Sequence, residues 1–461
     1  MSYAQAIESL YARGHELAQA GASAATGTSP RKFDLAEMQI LTAALGSPEL
    51  KFPSVLIAGT NGKGSTAAML ANILRVAGYR AGLYTSPHLT HVNERVQING
   101  VAISDDDFAR LYFRVDETGS RLVSEGKLPQ HPSFFESVTA VAFLYFAEQA
   151  IDIAVLEVGM GGRLDATNIV APLLSIITDI SLDHTEWLGS TIDAIAREKA
   201  GILRRDGTLV TLPQHPAANQ AIGEVASDLN VRAVSAVEFM PPRRSPDKEA
   251  SEFYAEPYFV TVAGTSVELR PALAGTHQHR NAALAMAAAI ELCNNNSYNI
   301  APQQIAEAIN TTRWPGRLEL FPRSDTRAAV LLDVAHNPAG AWTLRSALST
   351  WPGLATQLPT PRTLLFGCLR EKAVEEMAQI LFPIFDRVIL TPVNSPRTAS
   401  VEHLQAVAQT LGVATESAPS PIAGMELAQS RTPSNGLVVC AGSVYLVGAL
   451  RESLLIRQGK G

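Results

Sequence analysis

The stretch VLIAGTNGKGSTAAMLANIL, residues 55–74, joins an apolar run to a glycine-rich turn with one lysine and then to apolar residues at helical spacing. Such glycines let backbone N–H groups approach a phosphate, and the following helix adds partial positive charge at its N-terminus. Lys63 would neutralise the β- and γ-phosphates of a nucleotide, and the Ser65 hydroxyl would bind Mg²⁺. The alternative is a glycine-rich turn without a ligand, but the order of strand, glycines, lysine, serine and helix favours nucleotide binding. The predicted loop consists of Gly59, Thr60, Asn61, Gly62, Lys63, Gly64 and Ser65.

Two further polar groups follow predicted strands. Glu157 ends the apolar run 152–158, and His184 comes after the run 173–178. Ligands bind at the carboxyl ends of parallel strands, so Glu157 could reach the Mg²⁺ of a nucleotide. Taken alone, Glu157 could instead point to water, and His184 could be an ordinary surface or core histidine. Together on adjacent strand edges, they form a plausible pair of metal ligands.

Other polar residues have weaker spacing signals. Lys199 lies on a helix whose other charges resemble an ordinary solvated face. His277 and His279 are two apart at a predicted helix start and point in different directions, so we expect them to pack or hydrogen-bond while Gln278 or Asn281 faces a ligand.

The region after residue 311 adds a second group of polar residues. Arg317 lies in WPGRLELF, and Asp333 and His336 follow an apolar run in LLDVAHNPAG. A charged residue at a domain junction and a D-x-x-H at a strand end suit a site built between domains. Asp165, after the glycine turn of residues 159–162, has no role that spacing alone assigns.

These residues must be positioned by an alternation of short β-branched runs and helical patterns, which predicts a mainly parallel sheet covered by helices. The predicted strands of the first part are 54–58, 81–84, 152–158, 173–178 and 208–212, and its predicted helices are 65–77, 105–124, 134–149, 190–200 and 215–228. An exposed excursion is expected at 236–257, ahead of a short β segment at 258–270 and a helix at about 278–293.

A second α/β series begins after Pro315 and Gly316. Its predicted strands are 328–334, 363–367, 387–391 and 437–441, and its predicted helices are 338–350, 371–383, 400–411 and 444–455. The fold class is therefore α/β, with an N-terminal P-loop ATPase domain over 1–312 and a smaller Rossmann-like domain over 313–461.

The composition of the chain restricts the class of protein to which it can belong. The chain has 461 residues, with 46% hydrophobic and 18% charged residues, which is typical of a globular protein of two or three domains. The formal net charge of −7 argues against a general nucleic-acid or anionic-membrane binder. Cys293, Cys368 and Cys440 fit no metal-ligand spacing and suit small buried side chains in a reducing compartment. The N-terminus predicts an amphipathic helix rather than a signal peptide, and no apolar run is long enough for a membrane span, so a cytoplasmic protein is expected.

Beyond these local signals, the chain closely resembles the bacterial folylpolyglutamate synthase/dihydrofolate synthase family, relatives of the Mur ligases. The resemblance covers residues from about 30 to 450 and keeps the family's motif order. The matching motifs are AGTNGKGS (58–65), YTSPHL and NERV (84–96), SFFE (133–136), LEVGMGGRLDATNI (156–169), LDHTEWLG (182–189), REKAGI (197–202), HQHRNAALA (277–285), WPGRLE (314–319), DVAHNPAG (333–340) and AGSVYLVG (441–448).

The resemblance implies a ligase that uses ATP to convert a pterin-linked carboxylate into an acyl phosphate, which the amine of L-glutamate attacks. It implies Mg²⁺, with two ions expected, and a monovalent cation besides. The expected partners are small molecules only: ATP, L-glutamate, and folate or dihydropteroate. A monomer is expected, with neither nucleic acid nor membrane bound.

The resemblance also assigns the residues. It implies metal ligands at Ser65, Ser86, Glu157, His184 and Lys199, with Lys199 carbamylated and Lys63, His184 and Lys199 catalytic. It implies ATP contacts at Asn281, Arg317 and Asp333, with His336 close by. It implies a pterin side made by Asp34, Ser86, Ser133, Phe134, Phe135, Glu136, Asp165, Ala166 and Thr167. From the residues alone, core packing of Phe134 or Phe135 at a helix start is as well supported as contact with a heterocycle.

Alternatives stay open at this point. Glu371 precedes Lys372 where many family members carry Asp-Lys, which weakens the assignment of residue roles in the second domain. A bifunctional enzyme is favoured over one that only extends the glutamate tail. A Mur-type ligase with another acceptor is a rival, and a P-loop switch or regulatory ATPase is a rival of another class, although the chain has no N-K-x-D motif.

Overall fold

A computed structural model describes residues 2–13, 35–242, 257–349 and 361–457. The chain forms two compact units. The first consists of Met1–Ser86, Val92–Phe239 and Asn281–Ala308, and the second of Pro87–His91, Met240–Arg280 and Ile309–Gly461. The sequence-based boundary between residues 312 and 313 stays a prediction.

An eight-stranded sheet forms the centre of the first unit. Its strands are β1 (Ser54–Ala58), β2 (Ala81–Tyr84), β3 (Val96–Ile98), β4 (Val101–Ala102), β5 (Ile153–Glu157), β6 (Leu174–Ile177), β7 (Thr208–Thr211) and β8 (Arg232–Ser235), in the order β4-β3-β2-β5-β1-β6-β7-β8. The six strands from β2 to β8 in that order are parallel, and β3 and β4 add an antiparallel edge. Strand β1 is buried along its whole length, as its unbroken apolar run predicts for a strand covered on both faces.

Helices cover this sheet. They are α1 (Tyr3–Ala12), α2 (Leu35–Ala44), α3 (Lys63–Val76), α4 (Asp105–Ser124), α5 (Phe134–Glu148), α6 (Thr185–Leu188), α7 (Ile192–Ala200) and α8 (Pro216–Asp228), followed by α9 (His277–Asn296) and α10 (Pro302–Thr311), most of whose residues belong to this unit. Helix α4 shows why the bounds of such helices can be predicted from the sequence. Ser104 caps its N-terminus, three aspartates occupy its first turn, and Phe108, Leu111 and Val115 form its buried stripe.

The second unit contains a six-stranded sheet and a hairpin. The hairpin pairs β9 (Tyr258–Val262) with β10 (Thr265–Leu269), and the sheet has the order β11-β12-β16-β13-β14-β15. Its strands are β11 (Glu319–Phe321), β12 (Ala329–Leu332), β13 (Arg362–Phe366), β14 (Arg387–Leu390), β15 (Thr415–Ser417) and β16 (Leu437–Ala441), all parallel except β11. The helices α11 (Pro338–Ser349), α12 (Val374–Leu381) and α13 (Val401–Thr410) pack in one core cluster, and α14 (Pro421–Arg431) and α15 (Val444–Arg457) in the other.

These elements confirm the predicted α/β class with its large parallel sheet and second sheet, and most predicted ranges lie close to the observed bounds. Several elements were not predicted: the strands β3, β4, β8, β11 and β15, and the helices α2, α6, α10 and α14. The excursion expected at 236–257 was wrong in its first part, because Ala236 and Phe239 are buried in a short 3-10 turn. Residues 243–256 of that stretch lie outside the described ranges. No helix in the described part of the chain is long and apolar enough to cross a membrane.

Candidate active site

The loop between β1 and α3 has a backbone that only glycine can adopt at two points. Gly59 has φ +152°, and a Cβ there would lie 1.8 Å from Oγ1 of Thr178. Gly62 has φ +90°, and a Cβ there would lie 2.2 Å from Oδ1 of Asn281. The loop is therefore pressed against two neighbouring elements and keeps bare backbone at its surface. That is the construction a phosphate-binding loop requires.

Two lysine side chains meet at this loop. Nζ of Lys63 donates to the carbonyl oxygens of Gly59 at 3.0 Å and Thr60 at 3.1 Å. Nζ of Lys199 donates to the same Gly59 oxygen at 2.8 Å. The loop thus gathers two amines at one carbonyl, and Ser65, two residues after Lys63, is buried.

Lys199 corrects one sequence interpretation. Its helix α7 was expected to present a solvated face, but the Lys199 side chain is only 4% exposed. Burial first, and then the charge of Lys63, lower the pKa of Lys199 to about 7, against the opposing effects of Asp183 and Asp165. A buried lysine without a close ion pair is costly as a cation, so the neutral amine is readily populated.

Glu157 lies at the carboxyl end of β5 and is buried. Its Oε2 accepts a hydrogen bond from the backbone N–H of Ser86 at 3.1 Å, which brings together two predicted metal ligands that are 71 positions apart. His184 directly precedes the short helix α6 and has φ +51°, and Asp183 lies beside it, with 4.0 Å between Oδ1 of Asp183 and Nε2 of His184.

The carboxylate of Glu157 and the hydroxyls of Ser65 and Ser86 are oxygen donors of the kind that Mg²⁺ prefers, whereas the imidazole of His184 offers a softer nitrogen donor. In the described residues, however, no three His, Cys, Asp or Glu side chains form a group able to hold a metal ion. The donor chemistry therefore fits Mg²⁺, and the phosphates of a nucleotide would have to supply further oxygen ligands.

The glycine turn after β5 is closed by Asp165. One of its carboxylate oxygens accepts from the N–H groups of Gly159 and Met160, both at 3.0 Å, and the other accepts from the N–H and hydroxyl of Thr167 at 3.0 and 2.6 Å. Burial raises the pKa of Asp165, although these hydrogen bonds oppose the shift. Asp165 thus stabilises the turn that leads into Ala166 and Thr167, both of which are buried.

The segment Ser133–Glu136 forms the N-terminus of α5. The Ser133 hydroxyl accepts from the Glu136 N–H at 3.3 Å, and Oε2 of Glu136 accepts from the Ser133 N–H at 2.8 Å, which is a capping box. Phe134 is buried beneath the guanidinium of Arg95, 5.2 Å from the ring centre. Phe135 is half-buried over Gly159, where a Cβ would lie 2.6 Å from its ring. Phe134 is therefore part of the core, whereas Phe135 is the aromatic residue next to the glycine turn.

In the second unit, Asp333 follows β12 and is buried. Its oxygens accept from the N–H groups of Leu318 and Ala335, both at 2.9 Å, and burial raises its pKa against the opposing charge of Arg317. Nδ1 of His336 donates to the Val334 carbonyl at 2.8 Å. Asp333 thus fixes the strand end near Arg317 and His336, and all three residues lie in the second unit.

Asn281 belongs to the first unit, in the first turns of α9, where it is buried. His277 and Gln278 hydrogen-bond to each other through their side chains at 3.1 Å, and His279 packs edge-on against Tyr258 at 5.2 Å. These contacts agree with the expected packing roles of the two histidines. Asp34, predicted on the pterin side, lies outside the described residues.

Sequence reasoning assigned no role to several residues that shape this site. Asp183 directly precedes His184, and an acidic neighbour of a candidate metal ligand is a signal that could have been used. Thr178 packs on Gly59, and Arg204 donates to the carbonyls of Asn168 and Val170 at 2.8 and 2.9 Å. Nothing in the local pattern marks these two, because their partners are distant in sequence.

Comparison with known proteins identifies the family. The Mur ligase middle domain matches residues 57–289, and the Mur ligase, glutamate ligase domain matches residues 316–444. The dihydrofolate synthase/folylpolyglutamate synthase of Bacillus subtilis is 33% identical over 425 residues, which cover 92% of this chain and 95% of that protein.

Solved structures agree with this assignment. Folylpolyglutamate synthase from Thermotoga maritima superposes with a TM-score of 0.79 at 32% identity, covering 99% of this chain and 97% of that one. Escherichia coli FolC in complex with DHPP and ADP superposes with a TM-score of 0.80 at 26% identity, covering 99% of both chains. The chain therefore belongs to the folylpolyglutamate synthase/dihydrofolate synthase family of Mur-type, ATP-dependent ligases.

Proposed function

We propose that this protein adds L-glutamate to the carboxylate of dihydropteroate and to the glutamate tail of tetrahydrofolate, with ATP as the energy source. The observation that carries the proposal is the phosphate loop at which Lys63 and the buried Lys199 meet. Relatives named for both activities support the bifunctional form. An enzyme that only extends the tail is the second candidate, since a relative from Lacticaseibacillus casei, 33% identical, is named folylpolyglutamate synthase alone.

The reaction has two steps. An oxygen of the acceptor carboxylate attacks the γ-phosphorus of ATP, the bond to ADP breaks, and an acyl phosphate forms. The amine of L-glutamate then attacks the acyl carbon, loses a proton, and displaces inorganic phosphate to leave an amide. Both steps bring anions together, so charge neutralisation and alignment matter more than a covalent nucleophile.

The residues divide this work. The backbone N–H groups of the loop from Gly59 to Ser65 cradle the phosphates, except those of Thr60 and Asn61, which donate to the Asp179 carbonyl. Lys63 leaves the loop carbonyls to neutralise the phosphates. Asn281 presses on the loop from α9. Arg317, Asp333 and His336 are proposed nucleotide contacts from the second unit, with the Arg317 guanidinium suited to phosphate oxygens.

Mg²⁺ binding is proposed at Ser65, Ser86, Glu157, His184 and Lys199, as two ions, with a monovalent cation besides. When bound, the ions spread the charge of the transferring phosphoryl group. Lys199 needs a carboxylate to take part, because an amine is a poor Mg²⁺ ligand. The neutral amine can add to CO₂ and release one proton, giving a carbamate. Its lowered pKa, near 7, makes that neutral amine available at neutral pH.

The acceptor side is proposed at the turn closed by Asp165. Ala166 would contact the pterin-linked substrate, with Phe135 as the aromatic surface. Thr167, whose N–H and hydroxyl both donate to Asp165, would act by holding the turn. Ser133, Glu136 and Phe134 would act by holding the start of α5 rather than by direct contact, since their polar and aromatic groups are already engaged.

ADP release with ATP, Mg²⁺ and L-glutamate tests the function, with dihydropteroate and tetrahydrofolate as separate acceptors. Turnover with both supports the bifunctional enzyme, and turnover with tetrahydrofolate alone supports the second candidate. Turnover with neither, despite tight ADP binding, contradicts the proposal and favours another acceptor. Lys199→Ala should be inactive in the same assay and regain part of its activity with a short added carboxylate.

A further inference from the structure

The phosphate loop is tied to the segment that carries His184. The Thr60 N–H donates to the Asp179 carbonyl at 2.8 Å, and the Asn61 N–H donates to the same oxygen at 3.2 Å. This segment directly follows β6 and leads through Ser181 and Asp183 to His184. The loop and the segment are therefore held together by backbone bonds at Asp179.

Side chains add a second connection two residues further on. The Thr60 hydroxyl donates to the Ser181 carbonyl at 3.0 Å and accepts from the Ser181 N–H at 3.1 Å. The Asn61 amide donates to the Ser181 hydroxyl at 3.1 Å. One hydroxyl thus satisfies both backbone groups of Ser181, so its removal would leave a donor and an acceptor without their partner.

This geometry gives Thr60 a role beyond the backbone contacts expected of a phosphate loop. Its side chain is engaged by Ser181, three residues before His184. Only two residues separate Ser181 from His184, so a displacement of Ser181 would displace His184 as well. The backbone of His184 is left-handed, with φ +51°, and this conformation depends on the path of the chain before it.

We infer that the Thr60 hydroxyl, acting through Ser181, positions His184 for Mg²⁺ relative to the bound phosphates. Thr60 and Ser181 are then positioning residues that link nucleotide binding to metal binding. The inference rests on the proposed Mg²⁺ role of His184 and deepens it.

The test compares Thr60→Val, which keeps the shape but deletes the hydroxyl, with Thr60→Ser, which keeps the hydroxyl. Calorimetry measures the ADP Kd without and with Mg²⁺, and the ratio of the two values reports the coupling. We expect Thr60→Val to lower that ratio about tenfold, the scale of leaving part-buried polar groups unpaired, with the Kd measured with Mg²⁺ rising more than the Mg²⁺-free Kd. Thr60→Ser should keep the wild-type ratio, and Ser181→Ala, which loses only the Asn61 bond, should fall between them.

A matched control is Thr211→Val, which deletes a hydroxyl that donates to the Ile177 carbonyl at 3.1 Å on the neighbouring strand. It should leave the ratio unchanged. The inference is overturned if Thr60→Val keeps the wild-type ratio, or if its Mg²⁺-free Kd rises as much as the Kd with Mg²⁺, since the hydroxyl would then only shape the loop. A wild-type ratio of one would instead contradict the proposed Mg²⁺ site itself, and the inference with it. Because the readout is binding, it does not depend on which acceptor the enzyme uses.

Discussion

The Gly59 carbonyl oxygen accepts hydrogen bonds from the side-chain amines of both Lys63 and Lys199. Two cations on one neutral acceptor repel each other, and this repulsion contributes to the lowered pKa of Lys199. Phosphate oxygens offer Lys63 a far stronger partner than loop carbonyls do. Nucleotide binding should therefore draw Lys63 away and leave Lys199 at the Gly59 carbonyl.

Lys63→Ala should lower turnover by about 100-fold or more, the scale seen when one charge-stabilising group is removed from a transition state. ADP release with saturating substrates measures it. The matched control is Lys127→Ala, whose side chain is 61% exposed in a surface ion pair with Glu125 and should not matter. Turnover by Lys63→Ala at the wild-type rate would refute the phosphate-loop assignment.

His277 should make the protein sensitive to acid. Burial first, then the charges of Arg317 and His279, lower the pKa of His277 to about 4, against about 6.5 in an unfolded chain. Between those values the unfolded state binds more protons, so the free energy of unfolding falls as the pH drops from about 6.5 to 4. The loss is at most about 3 kcal/mol, and smaller because the side chain keeps some contact with solvent.

Urea unfolding at pH 7 and pH 4.5 tests this prediction. His277→Gln should lose less stability between the two pH values than the wild type does. His403→Gln, at a side chain that is 47% exposed, should follow the wild type. Equal acid sensitivity in His277→Gln and wild type would show that other groups account for it.

At the scale of elements, the glycine turn after β5 is fitted to the end of α7. A Cβ on Gly162 would lie 2.8 Å from the Glu198 carbonyl oxygen and 2.9 Å from that of Lys199. The Arg163 N–H donates to the same Glu198 oxygen at 2.9 Å. The turn proposed for the acceptor and the helix that carries Lys199 are therefore held in direct contact.

Gly162→Ala should disrupt the contact between the glycine turn after β5 and helix α7. We expect the KM for the acceptor to rise at least about tenfold while the ADP Kd in the absence of Mg²⁺ changes little, because the clash involves rigid backbone atoms. Gly223→Ala is the control, since that helical glycine has nothing within 4 Å of a new Cβ and should be neutral or slightly stabilising. An unchanged acceptor KM in Gly162→Ala would remove the turn from the acceptor site.

The same elements show what the sequence could predict. Buried parallel strands such as β1 were predictable because their apolar runs are continuous, and α4 because its cap and stripe are local. Helix α14 was missed because Pro421 and Gly424 resemble a loop, although proline suits a first helical turn. The burial of Lys199 and the contact between Ser86 and Glu157 arise only from packing between distant segments, so no local pattern could reveal them.

At the scale of the molecule, each unit places its polar groups at the carboxyl ends of parallel strands. Glu157 ends β5 in the first unit, and Asp333 follows β12 in the second. This rule is the reason why the sequence predicted polar groups at these strand ends. The composition of the units was not predictable, because residues 87–91 join the second unit through packing, with the Leu89 carbonyl against Gly448.

Both units have cores built from apolar side chains, so metal ions should serve binding rather than folding. EDTA should therefore leave the unfolding midpoint of the ligand-free protein unchanged. ADP with Mg²⁺ at about 100 times its Kd should stabilise the protein by about 2.7 kcal/mol, and EDTA should remove part of that gain. Thermal unfolding by circular dichroism, with and without each addition, measures both effects. A lower midpoint in EDTA without nucleotide would mean that a metal ion supports the fold itself, and a gain from ADP that EDTA leaves untouched would mean that Mg²⁺ does not join the nucleotide at the loop.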